Sequence, residues 1–146
     1  MNKHAVEILL VEDDDDDASL TIMALKRKNL VNNLIRLKDG VQAIDFVFSK
    51  GEFSDRPLDA FPKVILLDLK MPKMSGIDVL RKIKSDGRTK HIPVVVLTSS
   101  KENPDLAICY ELGANSYIVK PVVFEDFLNA VAELGFYWLM LNEPKL

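Results

Sequence analysis

The stretch Lys63-Val64-Ile65-Leu66-Leu67-Asp68 decides the fold, because it is a continuous apolar run that ends on a carboxylate. An apolar run without polar alternation is typical of a parallel strand that is buried on both faces of its sheet. Ala5–Val11 and Pro93–Leu97 share this character, and Asn33–Lys38 and Ser116–Val119 are shorter candidate strands. The chain therefore offers five strands, three of which are predicted to be buried on both faces.

Segments of helical period separate the candidate strands. In Ser19–Lys28 we expect one buried apolar stripe, formed by Leu20, Met23, Ala24 and Leu25. Further helices are predicted around Val41–Phe48, Gly76–Ser85 and Leu106–Leu112, and from about Phe124 onward. Strands that alternate with helices imply βαβ units with right-handed crossovers. We predict an α/β fold, a doubly wound five-stranded parallel sheet of flavodoxin-like type in the strand order 2-1-3-4-5.

Bulk composition limits the class of protein. The 146 residues are the size of one domain, which we place at 1–146 with a core at about 5–133. The net charge of −3 argues against a nucleic-acid partner, which would normally meet a basic face. One cysteine, Cys109, excludes a disulfide within the chain and favours a reducing compartment. No apolar stretch has the length of a signal peptide or membrane span, so we expect a cytoplasmic location.

Polar side chains follow four of the five predicted strands. In doubly wound sheets the functional site lies beyond the carboxyl ends of the strands. The second strand ends in Lys38-Asp39-Gly40, which is typical of a turn into a helix. The other four strands are followed by carboxylates, hydroxyls and one ammonium, namely Glu12 and Asp13, then Asp68, then Thr98 and Ser99, then Lys120. These side chains are predicted to converge at one edge of the sheet.

This set of side chains suits phosphoryl chemistry. Converging carboxylates without His or Cys favour Mg²⁺ over zinc, and Glu12, Asp13 and Asp68 suit that cation. A carboxylate such as Asp68 is also a competent nucleophile toward phosphorus and gives an acyl phosphate. Lys120 can neutralise charge on the transferred group, and Thr98 can donate a hydrogen bond to one of its oxygens. Nucleophile, metal ligands, cation and hydroxyl together predict a phosphoryl-acceptor site.

Four motifs in this order resemble those of response-regulator receiver domains of two-component signalling. They are Leu9–Asp14 (LLVEDD), Leu67–Gly76 (LDLKMPKMSG), Val96–Ser99 (VLTS) and Tyr117–Pro121 (YIVKP). Each motif alone is weakly specific, whereas the ordered set is highly specific. The resemblance covers roughly residues 5–133.

The resemblance implies a role for each acid. Asp68 takes a phosphoryl group from a phosphohistidine on a sensor histidine kinase. Asp13 and Asp68 bind Mg²⁺ with help from the backbone carbonyl of Lys70, and Glu12 acts largely through a metal-bound water. Two departures stand out, since Glu12 replaces the Asp of many members and Lys70 occupies a position that tunes the phosphoryl lifetime in the family. The direction of the Lys70 effect stays open.

The resemblance also implies a conformational switch. Thr98 swings toward the phosphoryl group and Tyr117 turns inward behind it. Lys120 contacts a phosphoryl oxygen. The Lys120–Pro121 peptide is expected to be cis, because the cis form costs little free energy when proline follows. Nothing after residue 121 resembles a DNA-binding or catalytic output domain. Output is therefore expected through contact with another protein or through dimerisation.

A narrower resemblance concerns the kinase. The long connection Ser49–Phe61, the opening Glu12-Asp13-Asp14 and the apolar C-terminal tail resemble the single-domain regulators paired with bacterial phytochrome kinases. The insertion Lys50–Pro57 carries most of this likeness. It implies that the partner is a light-sensing histidine kinase.

Two alternative functions use the same residues differently. A phosphohydrolase of the haloacid-dehalogenase type would also form an aspartyl phosphate, but it needs an acid two residues after the nucleophile, where Lys70 stands. Its nucleophile also follows an early strand, whereas Asp68 follows the third. A binding module with a dead site would be supported by loss of Asp68 or Lys120, and both are present.

The acidic run Asp14–Asp17 has the partial appearance of a calcium loop. Asp13, Asp15 and Asp17 alternate as such a loop requires, but alanines stand at its Gly and Glu positions. We favour a solvated first turn of a helix, where acids suit the helix dipole.

The C-terminal tail carries six consecutive apolar residues, Phe136–Leu141. On a helix they would place apolar surface all round, more than one domain can cover. The tail can fold back on its own domain or form an edge strand. We favour an extended helix or tail at 134–146 that forms a homodimer interface, because Trp, Tyr, Phe and Met are typical interface anchors. The anchors are Phe136, Tyr137, Trp138, Leu139 and Met140.

Overall fold

The computed structural model describes residues 8–26 and 33–133. Strands and helices alternate along these residues, as the sequence pattern predicts. In chain order they are β1 (Ile8–Val11), α1 (Asp15–Lys26), β2 (Leu34–Leu37), α2 (Gly40–Val47), a short 3₁₀ helix (Gly51–Phe53), β3 (Val64–Asp68), α3 (Gly76–Ser85), β4 (Val94–Thr98), α4 (Asp105–Leu112), β5 (Ser116–Val119) and α5 (Phe124–Glu133).

The five strands form one parallel sheet in the order β2-β1-β3-β4-β5. The predicted flavodoxin-like order 2-1-3-4-5 is therefore confirmed. Val11, the last residue of β1, is in register with Leu37 of β2 and Leu67 of β3. Since all strands are parallel, their carboxyl ends lie along one edge, and the winding reverses between β1 and β3. A site at this edge is thus centred on the ends of those two strands.

Side chains of the central strands alternate between two apolar cores, one on each face of the sheet. Every residue of β1, β3 and β4 is buried, as their continuous apolar runs predict. Leu9 and Ile65 enter the core covered by α2, α3 and α4. Leu10 and Leu66 enter the core covered by α1 and α5. Burial of each such side chain stabilises the fold by roughly 1.5–3 kcal/mol. The three central strands are therefore a stable support for the site.

The buried face of α1 differs from the predicted one. Leu20 and Met23 are 50% and 65% exposed, and the buried residues are Ala18, Thr21 and Leu25. The prediction of a stripe through Leu20 and Met23 was wrong because it counted only large apolar residues. Ala18 and Leu25 instead belong to the core that α1 and α5 cover.

Two strands also extend one residue further than predicted. β3 ends at Asp68 and β4 ends at Thr98, so both residues pair within the sheet instead of following it. Asp68 is in register with Leu97, and Thr98 is in register with Val119 of β5. The backbone positions of the two predicted functional residues are therefore set by the strand ladder.

Side chains cap three helices at the edge where the strands end. Asp39 accepts a hydrogen bond from the N–H of Gln42 at 2.8 Å, which confirms the predicted turn into α2. Ser75 caps α3 in the same way. Asp14 accepts from the N–H of Asp17 at 2.9 Å and so caps α1. Such caps satisfy helix N–H groups that have no partner within the helix.

The connection after β3 folds back onto the end of that strand. The N–H of Gly76 donates to the Leu69 carbonyl at 2.9 Å, and a Cβ at Gly76 would lie 2.3 Å from the Asp68 carbonyl oxygen. A Cβ at Gly40 would lie equally close, 2.3 Å, to the Met74 carbonyl oxygen. Glycine is required at both positions because no side chain fits. The connection is therefore held against both β3 and the start of α2.

The long connection before β3 is held by an arginine. The Arg56 guanidinium lies 3.8 Å from the centroid of the Phe46 ring, and its Nη2 donates to the Ala60 carbonyl. Phe53 of the 3₁₀ helix meets Phe46 edge to face, with ring centroids 5.1 Å apart. This arginine clamp, formed by Arg56 with Phe46, orders the insertion at the amino-terminal edge of the sheet, opposite the strand carboxyl ends.

Two further sequence predictions concern membrane crossing and the C-terminal tail. Across residues 8–26 and 33–133, no helix combines the length and apolar character needed to cross a membrane. The predicted dimer anchors Phe136, Tyr137, Trp138, Leu139 and Met140 lie outside the described residues. The single-domain assignment of 1–146 and the tail at 134–146 therefore stay predictions.

Candidate functional site

A cleft opens at the carboxyl edge of the sheet, where the ends of four strands meet. It brings together side chains that are up to about a hundred residues apart in the chain. Its lining includes the predicted residues Glu12, Asp13, Asp68, Lys70, Thr98, Ser99 and Lys120, together with Asp14, Asp17 and Asn103.

Asp68 lies at the centre of this cleft as the last residue of β3. The residue is only 5% exposed, and its Oδ1 lies 3.4 Å from Nζ of Lys120. Burial raises the pKa of the Asp68 carboxyl, while the charge of Lys120 and a hydrogen bond from Glu12 oppose the rise. The charge of Lys120 thus favours the ionised form of Asp68, whereas burial alone would favour the protonated form.

Three carboxyl groups meet beside Asp68. One oxygen from each of Glu12, Asp13 and Asp68 lies within 4.8 Å of the other two. Glu12 is fully buried and Asp13 is exposed. Burial and the neighbouring charge of Asp68 raise the pKa of Glu12 to about 7. All of these donors are oxygens, which a hard divalent cation prefers, and such a cation would relieve their repulsion.

Lys120 joins the carboxylates into one network. Its Nζ lies 3.0 Å from Asp17 Oδ2 and 3.3 Å from Glu12 Oε1, in addition to its contact with Asp68. Burial would lower the pKa of Lys120, but the hydrogen bond to Asp17 and the charges of Asp68 and Glu12 raise it above its ordinary value. The Lys120–Pro121 peptide is cis, as expected. The ammonium is therefore a permanent cation within the cleft.

Thr98 ends β4 beside Asp68, and its side chain is bonded within the connection to α4. Its hydroxyl donates to the Ser100 carbonyl at 3.1 Å and accepts from Asn103 Nδ2 at 3.2 Å. The same Asn103 accepts a hydrogen bond from the N–H of Asp105 at 2.8 Å. The threonine hydroxyl therefore faces the start of α4 in this conformation.

Tyr117 lies on β5, next to the strand that ends in Thr98. Its ring is half-buried and packs against the core formed with α3 and α4. The ring also meets Tyr110 of α4 edge to face, with centroids 6.4 Å apart. Tyr117 is thus placed between the sheet and α4, and does not line the acidic cleft.

A family model described as "Response regulator receiver domain" matches residues 8–132. The chain belongs to this family. Receiver domains of this kind are regulatory switches of two-component signalling, and the fold and the family confirm the resemblance of the four motifs.

Several relatives match this receiver domain over almost its whole length. The bacteriophytochrome response regulator RtBRR is 49% identical, with a TM-score of 0.86 over 97% of this chain and 84% of that chain. Response regulator Rcp1 of Synechocystis sp. is 40% identical over 90% of this chain and 88% of its own. The probable methanogenesis regulatory protein FilR2 of Methanothrix harundinacea is 42% identical over 92% and 84%. The chain is thus similar to phytochrome regulators, and also to a regulator named for another process.

The acids of the run Asp14–Asp17 in this receiver domain make different contacts. Asp14 caps α1, Asp15 bonds Arg36 at 2.9 Å, and Asp17 contacts Lys120. The backbone carbonyl of Glu12 accepts a hydrogen bond from Arg36 Nε at 2.8 Å, which holds the end of β1 beside β2. The predicted solvated first turn therefore has specific partners.

Sequence reasoning missed the contacts of two residues in the cleft. Asp17 lies in the first turn of α1, and its contact with Lys120 joins residues 103 positions apart, which no local pattern indicates. The sequence has no signal for the contact between Asn103 and Thr98. Both contacts depend on how far a side chain reaches in the folded molecule.

Proposed function

We propose that this receiver domain accepts a phosphoryl group on Asp68 from a phosphohistidine of a sensor histidine kinase. One observation carries the proposal, namely the nearly buried Asp68 carboxylate, 3.4 Å from Lys120 Nζ and within 4.8 Å of oxygens of Glu12 and Asp13. This arrangement combines a nucleophile, a fixed cation and a set of oxygen ligands at one edge of the sheet. Those are the groups that phosphoryl transfer requires.

The transfer uses the residues of the cleft in defined ways. A carboxylate oxygen of Asp68 attacks phosphorus while the bond from phosphorus to the imidazole nitrogen breaks. The nitrogen leaves with the electron pair and takes up a proton, and Asp68 becomes an acyl phosphate. Lys120 neutralises charge on the transferred oxygens, since its ammonium already contacts the Asp68 carboxylate.

The donor atoms of the acidic cluster fit Mg²⁺. Asp13, Asp68 and the backbone carbonyl of Lys70 would hold the ion, with Glu12 acting largely through a bound water. When bound, the cation neutralises the acids and stabilises negative charge on the transferred group. The existence of a Mn²⁺-bound form of Rcp1, whose structure is 38% identical to this chain at a TM-score of 0.73, supports a divalent cation.

Phosphorylation of Asp68 would change the conformer that the receiver domain favours. Thr98 turns its hydroxyl toward a phosphoryl oxygen, and Tyr117 moves inward behind it. Both residues are close to α4, so this movement would alter the surface that α4 and β5 present. The signal is then a population shift read by protein contact, without turnover of a substrate.

The kinase that we propose is light-sensing. The similarity to RtBRR, which is named a bacteriophytochrome response regulator, supports this choice. Phosphotransfer from a purified bacteriophytochrome kinase should then be faster in one light state than in the other. A comparable rate in both states would point to another sensor, such as one for the process named in FilR2.

We further propose that residues 1–146 form one receiver domain that works as a homodimer. The apolar anchors Phe136–Met140 support this part of the proposal, because one domain cannot cover apolar surface on every side of a helix. The phosphorylated domain would then be read by a second copy of the chain, by another protein, or by both.

The central test measures covalent phosphorylation. The protein is incubated with Mg²⁺ and acetyl phosphate and its intact mass is measured. We expect the addition of one phosphoryl group, which disappears in Asp68→Asn and when Mg²⁺ is removed by EDTA. Asp16→Asn is the matched control, because Asp16 is an exposed acid of the same run and lies outside the cleft lining. An unmodified wild type, or continued hydrolysis of many phosphate esters, would contradict the proposal.

A further inference from the structure

The hydroxyl of Thr98 is fully engaged within the connection between β4 and α4. Thr98 is 2% exposed, and its Oγ1 donates to the Ser100 carbonyl at 3.1 Å. The same oxygen accepts from the Ser100 N–H at 3.4 Å and from Asn103 Nδ2 at 3.2 Å. A hydroxyl has one donor and two acceptor positions. Thr98 therefore has to break existing bonds before its hydroxyl can donate to a phosphoryl oxygen on Asp68.

Asn103 is the side chain that joins Thr98 to α4. Its Nδ2 donates to Thr98, while its Oδ1 accepts from the N–H of Asp105 at 2.8 Å. Its backbone carbonyl also accepts from the N–H of Leu106 at 3.1 Å. Only a side chain with both a donor and an acceptor can make the first two bonds at once. The amide thus couples the threonine hydroxyl to the first turn of the helix.

We propose that Asn103 is a positioning residue that latches Thr98 toward α4 and makes its release part of the switch. This inference rests on the proposed phosphorylation of Asp68. When the Thr98 hydroxyl turns to the phosphoryl group, Nδ2 of Asn103 loses its acceptor. The amide is then free to turn, and its bond to the first turn of α4 loosens with it. The latch therefore opposes phosphorylation and carries its effect to α4.

The Ser100 bonds alone do not explain this coupling. They come from backbone atoms, which every residue at that position would provide, and they stay inside the connection. The Asn103 bonds reach from the strand end to the helix. Replacing Asn103 should therefore free Thr98 without removing the other bonds of the loop.

Two variants separate the latch from the helix cap. Asn103→Ser keeps a neutral cap acceptor for α4 but is too short to donate to Thr98. Asn103→Thr likewise keeps a neutral cap acceptor and is too short to donate to Thr98. Glu102→Gln is the control, because Glu102 is the exposed neighbour of Asn103 and lies outside the cleft lining. All three are made in the full chain, so a folding defect in one variant leaves the other to decide.

The first measurement is the side-chain rotamer of Thr98 in the unphosphorylated protein. NMR three-bond couplings give its χ1 populations. We expect both Asn103 variants to move Thr98 away from the rotamer of the wild type, and Glu102→Gln to keep it. An unchanged rotamer in both Asn103 variants would overturn the latch. This readout needs no phosphodonor, so it stays independent of the proposed function.

The second measurement is the ratio of phosphorylated to unphosphorylated protein at subsaturating acetyl phosphate. Asn103→Ser should raise this ratio about threefold to tenfold, the factor that loss of one neutral hydrogen bond supplies. In a Thr98→Val background the same substitution should have no effect, because the latch acts through the hydroxyl. An equal effect in both backgrounds would overturn the latch. A wild type that takes up no phosphoryl group would instead refute the proposed function.

Discussion

At the scale of the residue, Glu12 has the most unusual position in the cleft. It is a fully buried acid beside a second acid, and its pKa is raised to about 7 by burial and by the charge of Asp68. Near neutral pH, a proton and a bound divalent cation would therefore compete for the same group of oxygens. Binding of the metal would then release the proton that Glu12 holds below this pKa.

This competition predicts a pH dependence of Mg²⁺ binding. Below pH 7 Glu12 is mostly protonated in the metal-free protein, and above pH 7 it is mostly ionised. The affinity for Mg²⁺ should therefore rise between about pH 6 and 8, with proton release on the acid side. Titration calorimetry in two buffers of different ionisation enthalpy measures both quantities. Glu12→Gln should remove most of the dependence, and an equal slope in that variant would contradict the prediction.

The permanent charge of Lys120 predicts that removal of its ammonium slows phosphorylation. Lys120→Ala removes the ammonium that contacts Asp68 at 3.4 Å, so the rate of phosphorylation by acetyl phosphate should fall by about 100-fold, as for loss of one electrostatic contact in a catalytic site. The initial rate is followed by intact mass at saturating Mg²⁺. Lys101→Ala serves as a control, because Lys101 is exposed in the nearby connection to α4. A similar fall in both variants would indicate a general charge effect.

At the scale of the element, the connection from β3 to α3 sets the backbone of the nucleophile. A side chain at Gly76 would meet the Asp68 carbonyl at 2.3 Å, while a side chain at Gly87, just after α3, would meet nothing within 4 Å. The two glycines thus differ in the space around them. Their comparison isolates the effect of crowding behind Asp68.

Gly76→Ala should lower the free energy of unfolding by about 2–3 kcal/mol, the usual cost of overpacking against backbone. Gly87→Ala should leave it unchanged or raise it by up to about 1 kcal/mol, because alanine restricts the unfolded chain. Urea unfolding measures both values. Equal destabilisation of the two variants would show that the close approach at Gly76 is relaxed by the loop.

The elements themselves were largely predictable. Continuous apolar runs indicated the central strands because both faces of β1, β3 and β4 are covered. The face of α1 was not predictable by the same rule, since its buried residues include the small Ala18 and the polar Thr21, which a count of large apolar residues leaves out. Counting apolar residues therefore predicts where a helix lies along the chain. It does not predict which face of the helix is buried when that face carries small residues.

At the scale of the whole molecule, the parallel topology explains why the cleft could be predicted. The carboxyl ends of parallel strands share one edge, so Glu12, Asp68, Thr98 and Lys120 had to converge there. The topology does not determine which oxygen a long side chain reaches. The contacts from Lys120 to Asp17 and from Asn103 to Thr98 therefore had to come from the folded structure.

The homodimer is also a prediction at this scale. Trp138→Glu places a charge among the apolar anchors of the tail and should give a monomer in sedimentation, because burying an unpaired charge is costly. Leu58→Glu is the control, since Leu58 is a single apolar residue that is 69% exposed in the insertion. An unchanged mass in Trp138→Glu would remove the tail from the dimer interface.

The insertion held by the arginine clamp has a consequence for how this molecule can be re-engineered. Because Arg56 and Phe46 fasten the segment at the amino-terminal edge, the chain can lengthen there without displacing a strand end. A fluorescent protein inserted after Pro57 would lie on the opposite side of the sheet from Asp68. Such a fusion would serve as a fluorescent tracer in living cells that leaves the cleft around Asp68 uncovered.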